Sequence, residues 1–332
     1  MLSLPMRLVT YSPAFTLVPT YECFNRCTYC NFRADPHQSP WLSLTAAEAA
    51  LRPLQAQGVI EVLILSGEVH PQDARRGAWL QRIYDLCELA LSLGFLPHTN
   101  AGPLSRSEMA QLKSVNVSMG LMLEQVTPRL LKTVHRHAPS KRPELRLAQL
   151  IQAGELGIPF TTGLLLGLGE TRAERRESLQ AIAEVQRQWG HIQEVIFQPH
   201  TVGSSQSWAG ASLAPTELCE VIAEAREVLP PEVVLQVPPN LVVSDEHLLR
   251  CLDLGARDLG GIGPLDHVNP DYPHPLDRQL AATLAAADWQ LVPRLPIYAQ
   301  YDSWLTGDLA KAVADWRSRL HSLSLANVSL GA

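Results

Sequence analysis

Three cysteines stand on one short stretch as Cys23-x3-Cys27-x2-Cys30. Thiolates are the usual ligands of iron-sulfur clusters, and a cubane of four irons takes four ligands. Three cysteines leave one iron open. The amino and carboxylate groups of S-adenosylmethionine can chelate such an iron, which sets the sulfonium beside the cluster for electron transfer and for carbon-sulfur cleavage to a deoxyadenosyl radical. Arg26 and Arg33 flank the triplet and would offset part of the charge of a thiolate cluster. The alternative for the same residues is a structural zinc site completed by His37. Zinc sites usually assemble from two separated Cys or His pairs, whereas this triplet stands alone. Tyr29, just before the last cysteine, fits an aromatic platform near an adenine, or packs the loop. Cys87, Cys219 and Cys251 lie singly in helical patterns, where a free cysteine is usually a small buried hydrophobe.

Further polar groups sit at loop positions. Gly163-x-Leu165-x-Gly167-x-x-Glu170 ends an apolar run and enters a capped helix, so that backbone at Gly167 and Gly169 can approach a flat ligand. The same stretch satisfies part of a dinucleotide fingerprint, with Ala173 beyond. That reading needs the first strand-helix unit and an acidic residue about 20 positions on; here the loop belongs to the fifth unit and Glu194 comes too late. In Ser66-Gly67-Glu68, the glutamate is suited to accept from an ammonium in a charge-assisted bond, with Gly67 leaving room for a ligand. Glu124 is suited to a ribose or an ammonium, or to capping the helix that follows. His98, Gln198 and His200 are candidate substrate contacts, although polar groups at such positions also bond to loop backbone.

The elements that must position these residues follow from hydropathy. From residue 17 onward, eight short apolar runs alternate with amphipathic stretches, without a linker or composition break. Strands are predicted near residues 16–21, 59–66, 94–98, 115–119, 158–165, 193–199, 232–237 and 256–260, and together they imply an α/β fold of the (β/α)8 TIM-like barrel type. The division expected is an N-terminal extension over 1–15, a barrel over 16–300, and a C-terminal helical segment over 301–332, with Trp304 and Trp316, packed on the barrel. Capping boxes are predicted at Thr45 with Glu48, Ser105 with Glu108, and Thr171 with Glu174. The last helix sets Leu179, Ile182, Val185 and Trp189 on one face. Parallel barrel strands aim the loops at their C-terminal ends toward one mouth. The cysteines, Glu68, His98, Asn100, Glu124, Gly167, Gln198, Asn240, Asp266 and Asn269 all fall at such ends.

Composition narrows the partners. The chain has 332 residues, 46% hydrophobic and 18% charged, a profile that supports a large buried core. A formal charge of -6, a pI near 6.0 and the lack of a long Lys/Arg run argue against nucleic acid. The N-terminal run is too polar for a signal segment, and no stretch of 18 apolar residues follows, so a cytoplasmic protein without membrane contact is expected.

The cysteine triplet with Tyr29, the Ser66-Gly67-Glu68 turn and the Gly163 to Glu170 loop resemble the cluster, methionine-amine and adenine motifs of the radical S-adenosylmethionine (SAM) superfamily. More particular runs, among them Leu96 to Asn100, Ser118 to Glu124, Pro159 to Gly163, His191 to Glu194 and Val237 to Leu241, with Gly260 to Ile262 and Val268 to Pro270, are similar to the 7,8-didemethyl-8-hydroxy-5-deazariboflavin (FO) synthase family over residues 16 to about 300. The resemblance implies a radical SAM barrel with a 4Fe-4S cluster held by Cys23, Cys27 and Cys30, and SAM bound by Tyr29, Ser66, Gly67, Glu68, Glu124, Gly163, Gly167 and Glu170. It also implies closure of the deazaflavin ring, with release of ammonia, from a 4-hydroxybenzyl adduct of 5-amino-6-ribitylaminouracil. Partners so implied are a companion radical enzyme that makes the adduct from tyrosine, and a reductant such as ferredoxin or flavodoxin. Asn100, Asn240, Asp266 and Asn269, with His98 and Gln198, are then expected to bind the substrate. Where the superfamily has two glycines before the glutamate, Ser66 replaces the first. The alternatives are the tyrosine-adding companion itself, a menaquinone-pathway cyclase, or a non-catalytic zinc protein.

Overall fold

The computed structural model describes residues 7–208, 210, 212–275 and 277–330. Nine parallel strands are joined in the order β2-β3-β4-β5-β6-β7-β8-β1-β9, and β1 also pairs with β2, so that eight of them close into a barrel. The strands are β1 (Arg7–Leu17), β2 (Glu61–Leu65), β3 (Leu96–Asn100), β4 (Ser118–Gly120), β5 (Phe160–Leu166), β6 (Ile192–Pro199), β7 (Val234–Gln236), β8 (Asp258–Ile262) and β9 (Trp289–Pro293). Closure falls where Ala14 to Leu17 lie beside Glu61 to Ile64. Each barrel strand after β1 is reached through helical chain, because a parallel neighbour requires a crossover. The helices are α1 (Leu44–Leu51), α2 (Arg76–Ser92), α3 (Arg106–Lys113), α4 (Pro143–Glu155), α5 (Arg172–Trp189), α6 (Pro215–Val228), α7 (Asp245–Asp253), α8 (Asp277–Ala285) and α9 (Gly307–Leu330).

The core sits between this helical ring and the outer face of the barrel. All seven residues of β5 are buried, as expected of a strand covered on both faces. Leu179, Ile182 and Val185 of α5 are buried in the same core, with Trp189 packed at its edge. Capping boxes at Ser105/Glu108 and Thr171/Glu174 are present. The box predicted at Thr45 is not: Ser43 caps α1, its hydroxyl accepting from Ala46 N at 3.1 Å, and Thr45 lies inside the helix. The start falls earlier because Ser43 already satisfies a free N–H of the first turn.

Two departures from the sequence reading concern the chain ends. The first strand starts at Arg7, so most of the stretch expected to be an extension forms barrel; residues 1–6 lie outside the described residues. Its burial alternates irregularly, and a register shift between Thr10 and Ser12 breaks its pairing with β8. It therefore carries no continuous apolar run of the kind that marks a buried strand. The second departure is β9, which pairs with Arg7 to Tyr11. C-terminal to these strands, Trp316 of α9 donates to Gly94 O at 2.8 Å, and Trp304 and Trp316 pack on a cluster around Ile297 and Tyr301.

Beyond β9 the chain crosses the N-terminal end of the barrel and closes it. Arg294 N donates to Tyr11 O at 2.8 Å, and the Arg294 guanidinium turns inward to Asp258 (2.5 and 2.8 Å) and Glu194 (2.9 Å). Tyr298 OH also donates to Glu194, at 3.0 Å. With Glu61, three buried carboxyls share this floor with one guanidinium. Burial raises Glu194 far above the usual carboxylate range, to about 8, although Arg294 opposes the shift.

Replacing Arg294 by Met strands Asp258 and Glu194 without their cation, and is expected to lower the unfolding free energy by about 3–5 kcal/mol in urea titrations. Glu194 adds a pH signature. Between about pH 4.5 and 8 the native state holds a proton that the unfolded state has lost, so stability falls as pH rises. Glu194→Gln should remove that slope, at most about 1.4 kcal/mol per pH unit, from stability measured across this window.

Candidate active site

The three cysteines lie on the loop between β1 and α1, at the C-terminal mouth of the barrel. The loop has almost no regular structure, so its peptide groups bond to other loops. Phe24 N donates to Glu68 O (3.0 Å), Arg26 N to His137 O (2.7 Å) and Thr28 N to Val134 O (3.1 Å), while Ser207 N and Trp208 N donate to Thr28 O. Loops after β1, β2, β4 and β6 are thereby tied together. The cysteine thiols are unoxidised and partly exposed, with Asn25 Nδ2 3.7 Å from Cys23 Sγ. Burial raises the Cys23 thiol to about 11 and the Cys27 thiol to about 12, Lys141 opposing the second shift. Metal ligation requires the thiolate, so a cluster formed here displaces protons. No group of three or more His, Cys, Asp or Glu side chains among the described residues is spaced to hold a single metal ion. The donor set itself, three free cysteines on one loop, matches in number the ligands of a cluster with one open iron.

The turn after β2 supports this loop in an unforeseen way. A Cβ on Gly67 would lie 2.2 Å from Glu22 O, so what fills the space beside it is cysteine-loop backbone and not a ligand. Ser66 is buried, its hydroxyl donating to Gly67 O at 2.8 Å and accepting from Trp79 Nε1 at 2.9 Å. Glu68 faces inward, accepting from Asn25 Nδ2 at 2.9 Å, with Arg146 Nη2 at 3.6 Å.

Glu124 is held in the left-handed region, with φ 66°, by its backbone bond from N to Gly163 O (3.0 Å). Its carboxylate meets Lys141 Nζ, Arg146 at 3.8 Å and Tyr29 OH at 3.4 Å. Burial alone would raise this carboxyl, but Lys141 and Arg146 carry it down to about 2. Tyr29 OH also bonds His135 Nε2 at 3.0 Å, and burial holds His135 neutral by lowering it to about 3. Sequence reasoning missed Asn25, His135, Lys141 and Arg146; three of them lie on the segment between β4 and α5, where no pattern marked them.

Within β5, Gly163 is a packing position, since a Cβ would lie 2.5 Å from Ile196 O, and the loop follows after Leu166. Gly167 and Gly169 adopt φ 91° and 99°, which other residues rarely reach, and Gly169 faces open space. Glu170 is turned into its own loop, accepting from Gly167 N, Leu168 N and Arg175 Nε, each at 2.8 Å, with no exposed side-chain surface. It shapes the loop instead of presenting an acceptor to a ligand.

His98, Asn100, Gln198, Asn240, Asp266 and Asn269 converge on one cavity of about 180 Å³ inside the barrel. Asn240 Nδ2 donates to Asp266 Oδ2 (2.9 Å) and Tyr272 O (2.8 Å), leaving its buried Oδ1 without a partner. Asp266 also accepts from Val268 N and Asn269 N, so it orders its loop. His200 is not part of this lining and bonds Gln206 instead. The cavity continues to Glu61, Glu194, Gln236 and Arg294, none of which was anticipated as a site residue.

A closed parallel barrel whose cysteine loop, acidic turn and glycine-rich loop share one mouth is the architecture of the radical SAM superfamily, whose sequence profile matches residues 17–182. Among solved structures, the FeFe-hydrogenase maturase HydG from Carboxydothermus hydrogenoformans has the same fold, with TM-score 0.70 at 17% identity over 92% of this chain and 76% of that one. Methylornithine synthase (PylB) gives 0.68 at 14% identity, over 90% of this chain and 86% of that one. Curated relatives are far more similar. The 7,8-didemethyl-8-hydroxy-5-deazariboflavin synthase of Trichormus variabilis is 62% identical over 93% of this chain and 91% of its own length, and that of Trichodesmium erythraeum 60% identical over 95% and 98%. The chain belongs to this family of radical SAM enzymes. No helix among the described residues is long and apolar enough to cross a membrane.

Gly67→Ala should fold yet fail to seat the cysteine loop. Iron and sulfide content after anaerobic reconstitution are expected to drop to a small fraction of wild type while circular dichroism is retained; full loading would show that the Glu22 contact does not matter.

Proposed function

We propose that the protein closes the central ring of the deazaflavin chromophore from the 4-hydroxybenzyl adduct of 5-amino-6-ribitylaminouracil, with release of ammonia. The observation that carries this reading is near full-length identity of about 60% to synthases of this product, combined with a cavity inside the barrel into which Asn, Gln and Asp side chains converge. When bound, a 4Fe-4S cluster and SAM supply a deoxyadenosyl radical that removes a hydrogen atom from the substrate.

The chain's own residues divide the remaining work. Cys23, Cys27 and Cys30 hold the cluster. Glu68, fixed by Asn25, accepts the methionyl ammonium, and the cations Lys141 and Arg146, the latter with an unpartnered buried Nε, suit the carboxylate. Tyr29 and the open backbone at Gly169 border the adenine, with Glu124 near the ribose; Ser66, Gly67, Gly163, Gly167 and Glu170 act by shaping these loops. Asn100, Gln198, Asn240 and Asn269 take the polar edges of the substrate, and Asp266 positions two of them. The enclosed barrel excludes water and stray hydrogen donors that would quench a radical. A companion enzyme supplies the adduct and a ferredoxin or flavodoxin the electron, in the cytoplasm.

Reconstituted protein given SAM, a strong reductant and the adduct is expected to yield deazaflavin fluorescence and deoxyadenosine together, both lost in Cys27→Ala. Deoxyadenosine without deazaflavin would reject the substrate. Offering tyrosine with the diaminouracil tests the companion reaction, for which no product is expected.

A further inference from the structure

The floor of the cavity holds two groups whose polar atoms point into it with little else to bind. Glu61 is 7% exposed, lines the cavity from β2, and has no cation bonded to it. Ser12 is the hydroxyl beside it, and Arg294 acts on it only through space. Burial raises its carboxyl above the ordinary range, against the pull of Arg294 and Ser12. His98, on the neighbouring strand, bonds Ser118 Oγ through Nδ1 at 2.7 Å. Because Ser118 spends its own proton on Pro296 O, it must accept from Nδ1–H, which leaves the Nε2 lone pair for the cavity. Burial keeps that imidazole neutral, lowering it to about 3. The other titratable groups facing this floor are committed to one another: Asp258 and Glu194 to Arg294, and Tyr298 to Glu194.

We propose that Glu61 is a catalytic proton carrier of this site, moving a proton from a substrate carbon to the departing amine, and that His98 Nε2 accepts a hydrogen bond from the same substrate. The inference deepens the reading of the reaction given above and rests on it. Expelling an amine to form a ring double bond is an elimination. The carboxylate takes a proton from carbon, the C–H electron pair becomes the new double bond, and the C–N bond breaks with its pair going to nitrogen. The same carboxyl then returns the proton, and the amine leaves as ammonia. The step is redox-neutral and restores Glu61. Because Arg294 and Pro296 line this end of the cavity, the proton has to be carried from carbon to nitrogen by a group of the wall. The uncommitted carboxyl there is Glu61.

The test is single-turnover assay of reconstituted wild type, Glu61→Gln and Glu61→Asp with the adduct, measuring deoxyadenosine, ammonia and deazaflavin across pH. Glu61→Gln is expected to form deoxyadenosine at wild-type yield but ammonia and deazaflavin at least about 100-fold more slowly, without the carboxyl limb of the wild-type pH profile. Glu61→Asp, which keeps the acid, should recover part of the rate. Wild-type rates in Glu61→Gln would overturn the proton role and leave the reaction assignment standing. Loss of deoxyadenosine along with deazaflavin would also overturn it, by making Glu61 a residue of binding or folding. A wild-type enzyme that makes no deazaflavin overturns both readings.

Discussion

Peptide groups of the cysteine loop must be satisfied by something other than a helix or a ladder, and this requirement organises the mouth of the barrel. Phe24, Arg26 and Thr28 donate to carbonyls of three residues on two other loops, and Thr28 returns an acceptor to a third. Gly67 then has to be glycine so that the Glu22 carbonyl can sit against it. The loops that carry Glu68, Glu124 and Lys141 are thus fixed relative to the cysteines through backbone contacts. Side chains at the mouth remain available for chemistry because main-chain atoms do the positioning.

A second constraint is charge. At the mouth, Glu68 and Glu124 are balanced by Lys141 and Arg146 at distances within 4 Å. At the floor the balance fails, since Glu61, Glu194 and Asp258 share Arg294 alone among nearby cations. Buried carboxyls without enough cations keep protons, because ionising them in a low dielectric is costly. Asp258 keeps its charge beside Arg294, whereas Glu194 and Glu61 are raised, so the mouth is ionic and the floor combines one ion pair with raised carboxyls.

Much of this was legible in the sequence. The (β/α)8 fold followed from eight alternations, and strands β2 to β8 fall within a few residues of their expected places, because buried parallel strands are largely apolar. β1 was misplaced because its alternation is irregular and its pairing is shared among three strands. The position of the cysteine triplet on one loop at the mouth was legible because its spacing falls directly after a strand. Roles based on side-chain type alone were less so: Ser66 and Glu170 look like ligand contacts, yet their polar atoms are already bonded within the protein. Glu61, Glu194 and Asp258 left one signal, an acidic residue in an otherwise apolar strand pattern. Its meaning depends on which strands surround it, and that is a property of the closed ring.

The pairing of β1 with β9 joins segments far apart in the chain: Arg7 Nη2 donates to Ala287 O, 280 positions away. Contacts of such separation form late, since the entropy of closing the loop must be met before the contact returns anything. During synthesis the first strand emerges with the cysteine loop behind it, but neither β8 nor β9 exists to hold it. The cysteine loop is thus made well before β8 and β9, and its barrel can close only after those strands have been added.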